Sequence, residues 1–169
     1  LAQRADAAAA PWAADLARLE LAVTDAFDAA DARPLARSDL AQLAPDAWEA
    51  LALAFVPGAQ LLELAWPVRA LRSAHDAEQP LALEGLAPQP ERVLVWRRDE
   101  RVLHRECSAT EHALLARAAE GARFGALCAL AAEARGEQEG AAYAASLLAR
   151  WVEDAVLAAP GEGGLRAAL

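Results

Sequence analysis

The chain contains no lysine, isoleucine, asparagine or methionine, and only two cysteines, three histidines and one tyrosine among its 169 residues. Every basic side chain is therefore arginine, a composition that reads as the codon pressure of a GC-rich genome rather than as chemistry. Cys107 and Cys128 are too few for a disulfide framework, and their spacing fits no zinc-binding pattern, so a reducing cytoplasmic setting is expected. No apolar run reaches the roughly 20 residues needed to cross a bilayer, and no basic flank and apolar core mark a signal peptide. A Gly-rich phosphate loop, a Gly-x-Ser-x-Gly elbow and a His-Glu-x-x-His pair are all missing. The first residue is Leu1 rather than Met, so the chain reads as a fragment or a trimmed product.

What is present is acidic and alanine-rich. The net charge is −9 and the pI about 4.8, a balance that repels phosphate backbones and disfavours nucleic acid as a partner. Hydrophobic residues make up 56%, but alanine supplies much of that, so fewer side chains than the figure suggests can fill a core. The length allows one domain or two small ones.

Residues 91–157 carry the clearest organisation. Val93 and Val95, then Val102 and His104, alternate on either side of the polar break Arg98-Asp99-Glu100, which predicts a β-hairpin. Ser108 and Glu111 form a capping box ahead of Ala113, Leu114 and Leu115, and Gly121 ends that helix. Phe124, Leu127, Cys128 and Ala131 mark a second helix that stops near Gly136. Tyr143, Leu147, Trp151 and Ala155 mark a third. A ribbon followed by three short helices is a winged-helix-like module.

Upstream, Trp12, Leu16, Leu19, Val23 and Phe27 form the apolar stripe of a helix whose opposite face carries Asp15, Arg18, Glu20, Asp25, Asp28 and Asp31, read as solvated. Arg33-Pro34 breaks it. Ser38 or Asp39 starts a short turn, Pro45-Asp46 another, and residues 51–56 and 61–64, divided by Pro57-Gly58, suggest a second hairpin or an extended pair. Trp66-Pro67 opens a short helix. The expected fold class is α+β: a helical and extended segment over 1–72, a linker over 73–90, the winged-helix-like module over 91–157, and a flexible tail over 158–169.

Three chemistries compete for this pattern. His104, Cys107, Glu111 and His112 are the nearest approach to a metal cluster or a small metal-dependent site, although the capping box already accounts for Glu111. Arg92, Arg97, Arg98, Arg101 and Arg105 could form a wing lying on DNA, but the helices behind the ribbon carry Glu133, Glu153 and Asp154 and are too acidic to enter a groove. The third reading is that an open edge of the ribbon takes an extended peptide as an added strand.

The segments Asp15-Leu-Ala-Arg-Leu-Glu20, Ala29-Ala-Asp-Ala-Arg-Pro34 and Trp66-Pro-Val-Arg-Ala-Leu-Arg-Ser-Ala-His75, with Val93-Leu-Val-Trp-Arg-Arg98 and Glu111-His-Ala-Leu-Leu115, resemble the HvfC/BufC proteins over roughly residues 12–157. That family, long labelled DNA-binding, is related to the methanobactin partner protein MbnC. The resemblance implies a non-catalytic subunit of a TIM-barrel enzyme that carries a multinuclear iron centre. It also implies a RiPP-recognition-element-like module that presents the leader of a ribosomally made, cysteine-containing peptide for oxidation. The iron would belong to the partner enzyme, so no cofactor is expected in this chain, and the family's N-terminal helical domain would be largely missing. The expected peptide-binding positions are Val93, Val95, Arg97, Val102 and His104 on the ribbon, with Tyr143, Leu147, Arg150 and Trp151 on the third helix.

Overall fold

The computed structural model describes residues 10–81 and 83–159, together with the backbone of 166–167. The chain is α+β. Its elements run α1 (Ala13–Asp28), α2 (Arg37–Leu40), a 3-10 turn at Pro45–Ala47, β1 (Ala54–Phe55), β2 (Gln60–Leu64), α3 (Val68–Asp76), β3 (Glu91–Arg98), β4 (Arg101–Glu106), α4 (Ala109–Ala119), α5 (Phe124–Arg135), α6 (Glu137–Glu153), β5 (Leu157–Ala158) and β6 (Arg166–Ala167).

A sheet ordered β4-β3-β2-β6 divides the molecule into layers. The β3–β4 hairpin closes through Asp99-Glu100, with Arg98 opposite Arg101 and Val95 opposite His104. Asp99 takes the left-handed conformation (φ 55°), which a short polar side chain tolerates better than most. β3 is the central strand, and the unbroken Val93-Leu94-Val95-Trp96 run shows why: both of its faces are covered. Val93 and Val95, with Leu62 and Leu64 of β2, pack against Leu19, Ala22 and Ala26 of α1 and Val68 and Leu71 of α3. Leu94 and Trp96 pack on the other side against Leu114, Leu115, Leu127, Leu147 and Trp151 of the three later helices.

Several expectations need correction. The stretches 51–56 and 61–64 do not form a hairpin, because β1 pairs with β5 whereas β2 pairs antiparallel with β3. Gly58, at φ 76°, carries the chain close beneath α1, where a Cβ would meet Ala29 and the Ala26 backbone, so the strands diverge instead of folding back. The stretch 73–90 begins as the last turn of α3 and joins two adjacent strands of one sheet. Both cores draw on residues from each side of it, so the two halves share their interior. The tail is not free at its start: Ala158 and Ala159 are buried, with Leu35 N donating to Leu157 O and Ala159 N to Arg33 O, each at 2.8 Å. The remaining tail residues 160–165 and 168–169 lie outside the described residues.

The α1 stripe is turned relative to its apolar pattern. Asp15, Leu19, Ala22 and Ala26 are buried, while Phe27 is 61% exposed. Small alanines let the helix axis approach the sheet, and the larger residues one step along are displaced to the rim. Asp15 is thus no solvated acid. Its carboxylate accepts hydrogen bonds from Ala65 N (2.7 Å) and Trp66 N (3.0 Å), holding the β2–α3 turn.

Helix ends are satisfied by tertiary contacts. Glu91 accepts from Arg69 N (2.8 Å) at the start of α3, and the carbonyls of Leu51 and Glu49 accept from Phe124 N and Gly125 N at the start of α5. α6 stops in a Schellman arrangement, with Val156 N donating to Trp151 O and Ala155 N to Val152 O while Ala155 sits at φ 57°. α5 and α6 pack through Gly140, where a Cβ would fall on the Ala132 backbone. Gly140→Ala should therefore cost about 1–3 kcal/mol by forcing the two helices apart, read as a lower denaturant midpoint with an unchanged slope.

Candidate functional site

Two edges of the sheet differ. β6 pairs in parallel with β2 on one side, and among the described residues no strand pairs with the outer side of β4. With Arg98 and Arg101 flanking a two-residue loop, the ladder alternates so that Val102, His104 and Glu106 turn their own N–H and C=O outward. Among the described residues, this rim is the one along which the hairpin can still accept a strand. The inner rim, along β3, is taken by β2.

The edge strand is held rigidly from behind. Arg105 makes a bidentate pair with Glu111, at 2.7 and 3.0 Å, and its Nε lies 2.9 Å from Asp154 at the end of α6. Trp151 Nε1 donates to the same Glu111 carboxylate at 2.9 Å, and Trp96 Nε1 donates to Asp154 O at 2.7 Å. Glu111 is only 2% exposed. Burial by itself would raise its carboxyl, but the hydrogen bonds from Arg105 and Trp151 and the positive charge of Arg105 hold it below the ordinary range. Its expected role as the reciprocal half of a capping box is not what the side chain does. Ser108 Oγ does accept from Glu111 N at 3.1 Å, while the carboxylate turns inward to arginine and tryptophan.

The expected site residues separate into two groups on opposite faces. Val93 and Val95 are fully buried beneath α1 and α3. Arg97 is engaged by Ala29 O and Asp31 Oδ1, both at 2.7 Å, tying the hairpin to the end of α1. Val102 and His104 lie on the same face as these and border a groove of about 510 Å³ between α1, α3 and β4. Leu147 and Trp151 are core residues of the opposite face. Tyr143 accepts or donates a 3.1 Å hydrogen bond with Ser108 and lies under the Arg135 guanidinium. Arg150 remains half-exposed beside Glu111 and Asp154, near Arg105. Of the nine, Val102, His104 and Arg150 border the open rim. For Val93 and Val95 the signal was ambiguous, because a buried strand and a half-buried one both show apolar residues at alternate positions, and for Leu147 and Trp151 an amphipathic helix marks its buried stripe with the same residues that could meet a ligand.

Phe27 and Val23 complete the groove, and the sequence pattern had assigned them to a core stripe. Their displacement depends on Ala22 and Ala26 being the contact residues, which apolar periodicity alone does not rank. His104 is pushed below its ordinary pKa by burial and then by the Arg69 charge, against the opposing pull of Asp76 at 3.9 Å.

The metal-cluster reading is not supported by the placement of its four residues. His104 points toward Asp76, Cys107 is buried in the helical core, Glu111 is committed to Arg105, and His112 lies 3.8 Å from Glu63. Among the described residues no group of three or more such side chains converges. Burial, followed by the neighbouring Glu111 charge, pushes the Cys107 thiol up to about 12, which leaves it protonated and poorly nucleophilic at neutral pH. No helix among the described residues is long and apolar enough to cross a membrane. No family model matches the chain, and neither a curated protein nor a solved structure matches it significantly.

Replacing Glu111 by Ala leaves Arg105 with Asp154 as its remaining carboxylate and Trp151 Nε1 without an acceptor, and should cost about 3–5 kcal/mol in urea unfolding. Because the folded state holds the Glu111 carboxyl below its ordinary 4.5, the stabilisation is whole above that value and is lost as pH falls through the folded pKa. His104 and His112, both held below 6.5 chiefly by burial, add an earlier loss that begins as pH drops under 6.5. A wild-type stability profile that does not fall below pH 6.5 would contradict the histidine assignment, and one that does not fall further below pH 4.5 would contradict that of Glu111.

Proposed function

We propose that this chain is a non-catalytic, cytoplasmic partner subunit that binds the leader of a ribosomally made, cysteine-containing peptide by strand addition. It would present that peptide to an iron-dependent, TIM-barrel peptide-modifying enzyme. The observation that carries the reading is the unpaired outer rim of β4, backed by helices that hold it in a fixed register. Main-chain hydrogen bonds to the free groups of Val102, His104 and Glu106 would supply affinity, and the groove between α1, α3 and β4 would select side chains. The hairpin with α4–α6 serves as the recognition module, and the likeness to the HvfC/BufC proteins, carried by the segments from Asp15 to Leu115, supplies the enzyme and its iron. In this reading the chemistry belongs to the partner enzyme, and Cys107, buried in the helical core, serves packing.

The edge can be tested without disturbing the fold, because proline at an outward-facing position removes a free N–H and leaves the β3–β4 ladder intact. A fluorescein-labelled leader of a cysteine-containing precursor should bind the wild-type protein, and Val102→Pro should weaken it about tenfold or more. Alternate N-methylation of the peptide should abolish binding in one phase and spare it in the other, since only every second amide of an added strand reaches the edge. Equal loss in both phases, or steeply salt-dependent binding of duplex DNA in its place, would replace this reading with another.

A further inference from the structure

The groove between α1, α3 and β4 has mixed walls, and every charge that lines it is paired except one. Arg72 donates to Glu20 Oε2 at 2.5 Å and to Asp76 Oδ2 at 3.2 Å, and His104 Nε2 lies 3.9 Å from the same Asp76 carboxylate. These side chains close one end of the groove. Phe27 follows Glu20 by two turns, about 10 Å along α1, and so stands toward the other end. That end lies beside the hairpin turn, because Asp31, just beyond α1, holds Arg97, and Arg97 sits opposite Val102. Phe27 is 61% exposed there and borders the groove with Val23 and Val102. Arg101, next to Val102 in the strand, lines the same groove. It is exposed, and among the described residues it has no hydrogen bond or ion pair.

We infer that this groove takes an aromatic side chain from the strand added to β4, at the residue opposite Val102, with its ring against Phe27 and the Arg101 guanidinium. This rests on the strand-addition reading and names the side chain that the rim selects. Residues directly opposite one another on neighbouring strands turn to the same face. The added residue opposite Val102 therefore enters the Phe27 end, and the one opposite His104 meets the closed end. A ring suits both neighbours there. Two phenyl rings attract edge-to-face or in an offset stack, and a guanidinium is drawn to a ring face. An aliphatic side chain satisfies Val23, Phe27 and Val102 but offers Arg101 nothing. A carboxylate answers Arg101 but loses water against Phe27 and faces Glu20 and Asp76 across the groove. A cation meets Arg101, while the carboxylates that could receive it are held by Arg72.

The test uses labelled threonine decapeptides that carry Phe, Leu, Glu or Arg at one central position. The Phe peptide should bind about fivefold more tightly than each of the others. Phe27→Leu keeps an apolar wall and removes the ring, and Arg101→Gln keeps the length and removes the charge. Each should cut the preference for Phe over Leu to about twofold, with the urea unfolding midpoint unchanged. Equal affinity for all the peptides, a preference for Glu, or no binding by any of them overturns the aromatic site. A preference for Phe that survives both substitutions overturns it too, since the ring then lies elsewhere. Strand addition stands apart from these outcomes so long as the leader peptide still loses binding on Val102→Pro and on one phase of N-methylation. Leader binding that is indifferent to both removes strand addition itself, and the aromatic site with it.

Discussion

The Arg105–Glu111 pair, with Trp151 donating to the same carboxylate, is the interaction on which the arrangement of the edge depends. It joins the outermost strand to α4 and α6 in one buried contact. A buried ion pair gains little over well-packed apolar residues of the same volume, but losing one member strands the other away from water. The pair therefore acts as a register lock more than as a source of net stability. Slipping β4 by one residue would turn Arg105 to the α1 face and leave Glu111 alone in the helical core.

From that lock the rest of the site follows. An edge strand is normally a hazard because its free N–H and C=O groups invite pairing with any other chain. Here the strand is short, carries Arg101, Arg105 and Glu106, and is fixed from behind, which suits a rim reserved for a chosen segment rather than one blunted against all. The opposite edge strand, β6, is only two residues long and pairs with β2 on its inner side. At β4 the rim borders a groove that mixes Val23, Phe27 and Val102 with Glu20, Arg72, Asp76 and Arg101.

Three buried carboxylates share a logic. Asp15 holds the turn after β2, Glu91 caps the start of α3, and Glu111 anchors β4. Each is bonded across a long stretch of sequence and each closes a backbone or arginine donor that the fold would otherwise leave unsatisfied. Burial pushes the Glu91 carboxyl above its ordinary range, against the nearby Arg69 N–H and charge, whereas the bidentate arginine wins at Glu111. The difference lies in the partner: a guanidinium fork with two short bonds outweighs desolvation, and one amide with an arginine at 3.8 Å does not.

The sequence by itself determined the local elements, because those depend on neighbours a few residues away. The α1 helix, the hairpin at Asp99-Glu100, the Ser108 cap and the stops at Gly121 and Gly136 are all written in periodicity and turn chemistry. So was the α+β class. Only the tertiary structure decided which faces were covered and which strands became neighbours. Pairing of β2 with β3 across 73–90, and of Ala54-Phe55 with Leu157-Ala158, depends on backbone hydrogen bonds that carry no side-chain signature. The placement of Val93 and Val95 in the core and of Phe27 at the surface was likewise hidden, since an alternating or helical apolar pattern tells how many faces a segment has but not what lies against each. Asp15 looked like a surface acid and Glu111 like the second half of a capping box for the same reason: a carboxylate is buried only when distant donors arrive to meet it, and distance along the chain is what local patterns do not encode.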